Sequence, residues 1–201
     1  MTTPHASAER TVVALVGNPR PGSRTLGAAT TLAARVAREI GAADVVPIDL
    51  ADLAAEILTP EHPGADAALA RAAATDVLVV ATPVYKASYT GLLKAFLDLY
   101  GPDGLAGVVA IPLVVSGSPA HGLAGEVHLR PVLVELGATV PTRSLAVTES
   151  RLGELEQVVE DWLAREGGAL RRAVGAFDAV GVGSDARQGV TGLVPAEAVA
   201  R

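Results

Sequence analysis

Five short apolar runs alternate along this chain with five segments of helical periodicity, and that order leaves few folds open to it. Thr11 to Gly17 (TVVALVG) is β-branched and ends in Gly-Asn-Pro, which fits a buried strand running into a turn. Thr25 to Ile40 then sets Leu26, Ala29, Leu32, Ala33, Val36 and Ile40 at helical spacing, with Gly41 as a stop. The pattern continues with strand Asp44 to Asp49, an irregular Pro-containing loop, helix Ala65 to Ala74 and strand Asp76 to Thr82. Helix Gly91 to Tyr100, strand Gly107 to Ser116, helix Leu123 to Gly137, strand Thr139 to Val147 and helix Leu152 to Val174 complete it.

Right-handed βαβ crossovers place the helices on both faces of a parallel sheet, so the expected class is doubly wound α/β. Two strand orders compete, the flavodoxin-like 2-1-3-4-5 and the Rossmann type. Proline lacks the N–H that a ladder needs and collects on edge strands; here it interrupts strand two (Pro47) and strand five (Pro141), which are the edges of 2-1-3-4-5. Pro112 falls in strand four, which that order makes internal, so a bulge or an unpaired position is expected there.

The 201 residues, half of them hydrophobic, fit one domain over 11–175, preceded by an extension over 1–10 and followed by a tail over 176–201. No stretch approaches the roughly 18 uncharged apolar residues of a membrane helix, and residues 1–10 are polar, so a cytoplasmic protein is expected. The tail contains Gly181-Val182-Gly183-Ser184-Asp185-Ala186, a formal dinucleotide fingerprint. No strand precedes it and no helix follows, and it is read as coincidence. The chain has no cysteine, which removes disulfides, thiolate metal sites and thiol nucleophiles and leaves redox chemistry to a cofactor. A net charge of −6 with scattered arginines speaks against nucleic acid. No histidine or carboxylate pair has metal-ligand spacing, so no metal site is expected.

Ligands of an open α/β sheet bind beyond the carboxyl ends of the strands where strand order reverses, here between strands one and three. After strand one, Gly17-Asn18-Pro19-Arg20-Pro21-Gly22-Ser23-Arg24-Thr25 opens a helix. Its glycines, the helix N-terminus, the Ser23 and Thr25 hydroxyls and the Arg20 and Arg24 charges suit a phosphate monoester; a plain capped helix start is the alternative. Ser23-Arg24 stands where an NTP-binding loop needs Lys then Ser or Thr, which disfavours an NTPase. After strand three, Thr82-Pro83-Val84-Tyr85-Lys86-Ala87-Ser88-Tyr89-Thr90-Gly91 offers a rigid turn with backbone N–H groups and a tyrosine wall for a flat heteroaromatic ring. His121 lies in the third such loop, where a ligand role and a capping role weigh equally.

These segments, with Leu92-Leu93-Lys94 and Asp98, Ser116-Gly117-Ser118-Pro119-Ala120-His121 and Arg130-Pro131-Val132-Leu133, resemble the NAD(P)H-dependent FMN reductases that supply reduced flavin to sulfonate monooxygenases. The likeness spans roughly residues 11–150. It implies that Ser23, Arg24 and Thr25 hold the FMN phosphate, that Pro83, Val84, Tyr85 and Lys86 line the isoalloxazine, and that Ser116, Gly117 and Ser118 line its far side. Asn18, Arg20 and His121 complete the candidate cofactor-binding set, and no catalytic side chain is assigned because the flavin carries the chemistry. The cofactors implied are FMN with NADPH or NADH; the partners are an FMNH2-dependent monooxygenase and further copies of the chain, as a homodimer or homotetramer through the third and fourth helices. Ser118 stands where such proteins often have a second glycine. Glu126-Val127-His128-Leu129 occupies the stretch where some relatives insert a tyrosine used in tetramer packing. An FMN-retaining quinone or azo reductase and a flavodoxin-like electron carrier remain as alternatives.

Overall fold

The computed structural model describes residues 9–180. Strands β1 (Thr11–Val16), β2 (Asp44–Asp49), β3 (Val77–Pro83), β4 (Val109–Ser116) and β5 (Leu145–Thr148) form one parallel sheet in the order β2-β1-β3-β4-β5. The crossovers are α1 (Arg24–Ile40), α2 (Pro63–Ala73), α3 (Gly91–Leu97) and α4 (Arg130–Glu135), and α5 (Leu155–Val180) follows β5. Both the class and the order agree with the sequence.

Alternation along the central strands divides the core in two. Val12, Ala14 and Val16 of β1, with Val77, Val79 and Ala81 of β3, meet the buried stripe of α1 (Ala29, Leu32, Val36) and Val159, Trp162 and Leu170 of α5. Val13, Leu15, Leu78 and Val80 face the other way, against Leu69 of α2 and Leu93, Phe96 and Leu97 of α3. β3 and β4 are buried along their whole length, as expected of strands covered on both faces. On the α3 side Tyr100 packs edge-on to Phe96, ring centres 6.2 Å apart, and its hydroxyl donates to the Leu69 carbonyl at 2.9 Å. Burial pushes that phenol well above the ordinary tyrosine range.

Two expectations are corrected, and a third is met in one of its two forms. Pro112 creates no bulge, for β4 pairs with β3 in unbroken register from Val77↔Val109 to Pro83↔Val115, but it is an early unpaired position on its other side. The Ala110 N–H points away from β3, to the Thr139 carbonyl at 2.8 Å, so by alternation the missing N–H of Pro112 faces the same side, where pairing with β5 begins only at Leu113↔Leu145. The fifth strand is shorter than Thr139 to Val147. Thr139 forms a single bridge to Val109, the chain then leaves the sheet, and Pro141 lies outside β5 and is no evidence for its edge position. Pro47 does sit in an edge strand. The expected helix Leu123 to Gly137 is divided: Gly125–Leu129 is π-helical, with the Arg130 N–H bonded to the Gly125 carbonyl, and α4 starts afresh at Arg130. Pro131 follows directly on that change of register, a point at which a helix accommodates a residue without an N–H.

The irregular stretch before β5 is held by a side-chain hub instead of a ladder. Arg130 donates to Glu126 at 2.6 Å and to the carbonyls of Val140 and Thr142, and Glu126 also accepts the Ser144 N–H. A Cβ on Gly125 would fall 2.6 Å from Ser144 Oγ, so this approach requires glycine. Among the described residues no helix is long and apolar enough to cross a membrane. α5 runs to Val180, beyond the expected end at Val174, and the Gly181 to Ala186 fingerprint lies outside the described residues.

Burial alone would raise the Glu126 carboxyl, but Arg130 and the Ser144 N–H outweigh it and hold it below the usual carboxylate range. A lowered folded value means that its contribution is complete above the ordinary glutamate value of 4.5 and is lost as pH falls through the folded value. Glu126→Gln is expected to lower stability by about 1 kcal/mol at neutral pH, with the difference from the parent shrinking as pH falls below 4.5, in urea unfolding followed across pH.

Candidate functional site

The loops that leave β1 and β3 meet where the strand order reverses. Gly17 donates its N–H to the Ala81 carbonyl at 2.8 Å, and a Cβ on it would stand 2.4 Å from Leu93 Cβ, so only glycine lets α3 lie this close. Thr90, buried at the start of α3, donates its hydroxyl to the Gly17 carbonyl and accepts the Leu93 N–H at 3.1 Å. Its own N–H reaches Thr82 Oγ1 at 3.2 Å. One threonine thus ties the first loop, the end of β3 and the start of α3 together. Thr90 belongs to the second loop's motif, and a Thr one residue before a helix is the sequence signal for this role.

In the first loop Asn18 is buried and acts as a brace. Its Oδ1 accepts the Arg20 N–H at 3.0 Å and its Nδ2 donates to Thr25 Oγ1 at 3.1 Å. Gly22 takes φ +61°, and its N–H goes to Asp49 Oδ2 at 3.2 Å. Ser23 caps α1, accepting the Leu26 N–H at 3.2 Å. Both hydroxyl oxygens, of Ser23 and Thr25, therefore already accept a bond and keep a proton to donate outward. With the N–H groups of the first turn of a 17-residue helix and its positive dipole end, they form a donor set suited to an anion.

In the second loop the Val84 N–H extends the β3–β4 ladder to the Val115 carbonyl at 2.9 Å. Tyr85 and Ser88 then exchange both backbone hydrogen bonds, at 2.9 and 3.1 Å, around Lys86 (φ +52°) and Ala87 (φ +66°). Positive φ at both central residues marks a type I′ turn, here without the usual glycine. Tyr85 projects from it, 42% exposed.

The two loops enclose a cleft of about 350 Å³ lined by Asn18, Arg20, Pro21, Ser23, Arg24, Thr25, Pro83, Tyr85, Val115 and Glu149. Polar donors stand at the α1 end and an apolar wall of Pro83, Tyr85 and Val115 at the other. Seven of the candidate residues share this wall; Val84 and Lys86 flank Tyr85 on its turn. Ser116, Gly117, Ser118 and His121 lie beyond the end of β4 and are not among the lining residues. Ser116 donates to the Ser118 carbonyl at 2.9 Å and Ser118 Oγ accepts the Ala120 N–H at 3.3 Å, so these hydroxyls shape the turn that carries the half-exposed His121. Glu149, just after β5, enters the cleft by pairing with Arg24 at 2.8 Å, and nothing in its sequence context marked it. A second cleft of about 290 Å³, lined by Ser144, Arg151, Trp162 and Arg165 among others, runs along β5 and α5 away from the reversal point and is the weaker candidate on topological grounds. Among the described residues no group of three or more His, Asp or Glu side chains is placed to hold a metal ion.

The left-handed backbone at Ala87 costs on the order of 1 kcal/mol for an alanine and more for a β-branched residue. Ala87→Val is expected to destabilise the protein by about 1 kcal/mol or more and to loosen the Tyr85 turn, whereas Ala87→Gly leaves stability equal or slightly higher, as read from thermal unfolding.

The FMN reductase (NADPH) of Escherichia coli is 52% identical over 63 residues, an alignment covering 31% of this chain and 33% of that protein. The chain thus matches only about a third of that relative's length. The NADH-dependent FMN reductase SfnE of Pseudomonas putida is 30% identical over 175 residues, covering 84% of this chain and 92% of that one. Among solved structures, an NADH:FMN oxidoreductase in its apo form superposes with a TM-score of 0.70 at 30% identity, over 96% of this chain and all of that one. The family model described as NADPH-dependent FMN reductase matches residues 10–151, which include both loops, the cleft and the β5 end that carries Glu149, and the chain belongs to that family.

Proposed function

We propose that this chain is an FMN reductase that oxidises NADH or NADPH and supplies reduced FMN to a partner monooxygenase. The observation that carries the reading is the cleft at the strand-order reversal, with outward hydroxyl donors at a helix N-terminus on one side and the Pro83, Tyr85 and Val115 wall on the other. A phosphate monoester attached to a flat ring matches that division of chemistry. Family membership and the names of the relatives support the same reaction.

In this account Ser23 and Thr25 donate their hydroxyl protons to the FMN phosphate, and the first-turn N–H groups of α1 complete its shell. Arg20 and Arg24 supply positive charge beside it. Pro83, Val84, Tyr85 and Lys86 hold the isoalloxazine, with the Tyr85 turn setting its tilt. Ser116, Gly117, Ser118 and His121 form the shelf on the far side, toward the nicotinamide. Bound FMN supplies the hydride acceptor, and the protein's part is position and exclusion of water, with no side-chain acid or base required. Resident FMN in a quinone or azo reductase is excluded if free FMN saturates as a substrate.

Leu123 just before the π segment, Val127 on it and Val134 on α4, each more than half exposed, favour self-association through that region. Light scattering is expected to give a dimer or tetramer; a strict monomer contradicts it.

Removing one hydrogen bond to a charged ligand costs roughly 1.5–3 kcal/mol, a factor of about 10 to 100. Thr25→Val is therefore expected to raise the KM for FMN by about tenfold or more in NADH and NADPH oxidation followed at 340 nm, while leaving that for riboflavin within about twofold. Equal losses for both flavins, or no flavin-dependent oxidation at all, contradict the assignment.

A further inference from the structure

The cleft carries a carboxylate where a phosphate is to sit. Glu149 stands on the 3-10 turn Glu149–Glu154 directly after β5 and lines the cleft together with Ser23 and Thr25. Its Oε2 lies 2.8 Å from Arg24 Nη2, at the first residue of α1. A second carboxylate, Asp49 at the end of β2, accepts the N–H groups of Gly22 and Ala51, each at 3.2 Å. The formal charges of Arg20 and Arg24 are thus offset by those of Asp49 and Glu149, in a loop read as the seat of a group carrying about 1.5 to 2 negative charges.

The two carboxylates do different work. Asp49 is engaged by backbone and shapes the loop itself. Glu149 is engaged by the one arginine that the family resemblance assigns to the phosphate. The pair is largely open to water, with Arg24 64% and Glu149 47% exposed, and an exposed pair of this kind is weak enough to yield to a dianion. Once displaced, the carboxylate remains tethered to a turn that lines the cleft, so its repulsion of the phosphate persists.

We infer that Glu149 competes with the flavin phosphate for Arg24 and thereby keeps FMN in exchange with solvent. It is a specificity-determining residue that narrows the advantage of phosphorylated over unphosphorylated flavin. This rests on reading the cleft as the FMN phosphate site. Its consequence is functional: a reductase that hands its flavin on gains from a phosphate site that holds loosely, and Glu149 supplies that looseness without altering the hydroxyl donors.

The test is a pair of fluorescence-quenching titrations, FMN and riboflavin, on the full-length chain with Glu149 intact, with Glu149→Gln and with Glu149→Ala, at one fixed ionic strength. Loss of a carboxylate that lines the same cleft as a bound dianion is expected to lower the Kd for FMN about three- to tenfold and to leave that for riboflavin within about twofold. FMN affinity that is unchanged or weaker in both variants overturns the inference, as does equal tightening for riboflavin. A parent protein that binds FMN no better than riboflavin, with both variants behaving alike, overturns the phosphate reading of the cleft and this inference with it. Because Glu149 is exposed and outside both core clusters, neither substitution removes packing.

Discussion

Thr90 joins the first loop, the end of β3 and the start of α3: its hydroxyl donates to the Gly17 carbonyl, 73 residues away, and accepts the Leu93 N–H, and its backbone N–H reaches Thr82 Oγ1. This junction is buried, so a missing partner costs the full desolvation of the group left behind. It also fixes the distance between α3 and the β1 end, a distance so short that Gly17 has no room for a Cβ. The first loop can therefore present its N–H groups only in one direction, and the second loop leaves β3 from a fixed point. The cleft's shape is a consequence of that packing, and Asn18 then trims the first loop by holding Arg20 and Thr25 in place.

Electrostatics divides the cleft further. At the α1 end, hydroxyls that have already accepted one hydrogen bond are left as donors, while Arg24 is occupied by Glu149. In the proposed reading the neutral donors carry the fixed part of anion recognition and the charges the adjustable part. At the other end, the two-residue turn of Lys86 and Ala87 accepts left-handed backbone without glycine so that Tyr85 stands out from the sheet. Strain of this kind persists only where the surrounding bonds over-determine it, here the reciprocal Tyr85 and Ser88 pair.

Much of this was legible beforehand. The β-branched runs and the stripe of α1 gave element types and order, and the reversal point located the two loops. Proline marks the sheet edge only in part: Pro47 is on an edge strand, Pro141 lies outside the sheet, and Pro112 keeps its register with β3 because pairing with β5 has not yet begun. Single-residue patterns do not reveal where a partner strand starts. The π segment was hidden for a similar reason, since Glu126 and Arg130 keep helical spacing whatever the register, and the contact that requires Gly125 is with Ser144, distant in sequence. Among the candidate-site residues, those within the two loops could be read from glycine, proline and hydroxyl spacing. Glu149 could not, because its role arises only when the end of β5 meets the start of α1.

The most direct measurement is a crystal structure of the protein soaked with FMN. The account predicts the phosphate within hydrogen-bond distance of the Ser23 and Thr25 hydroxyls at the start of α1, with the isoalloxazine against Pro83 and Tyr85. A flavin whose phosphate lies elsewhere, along the β5 and α5 cleft for instance, would contradict it.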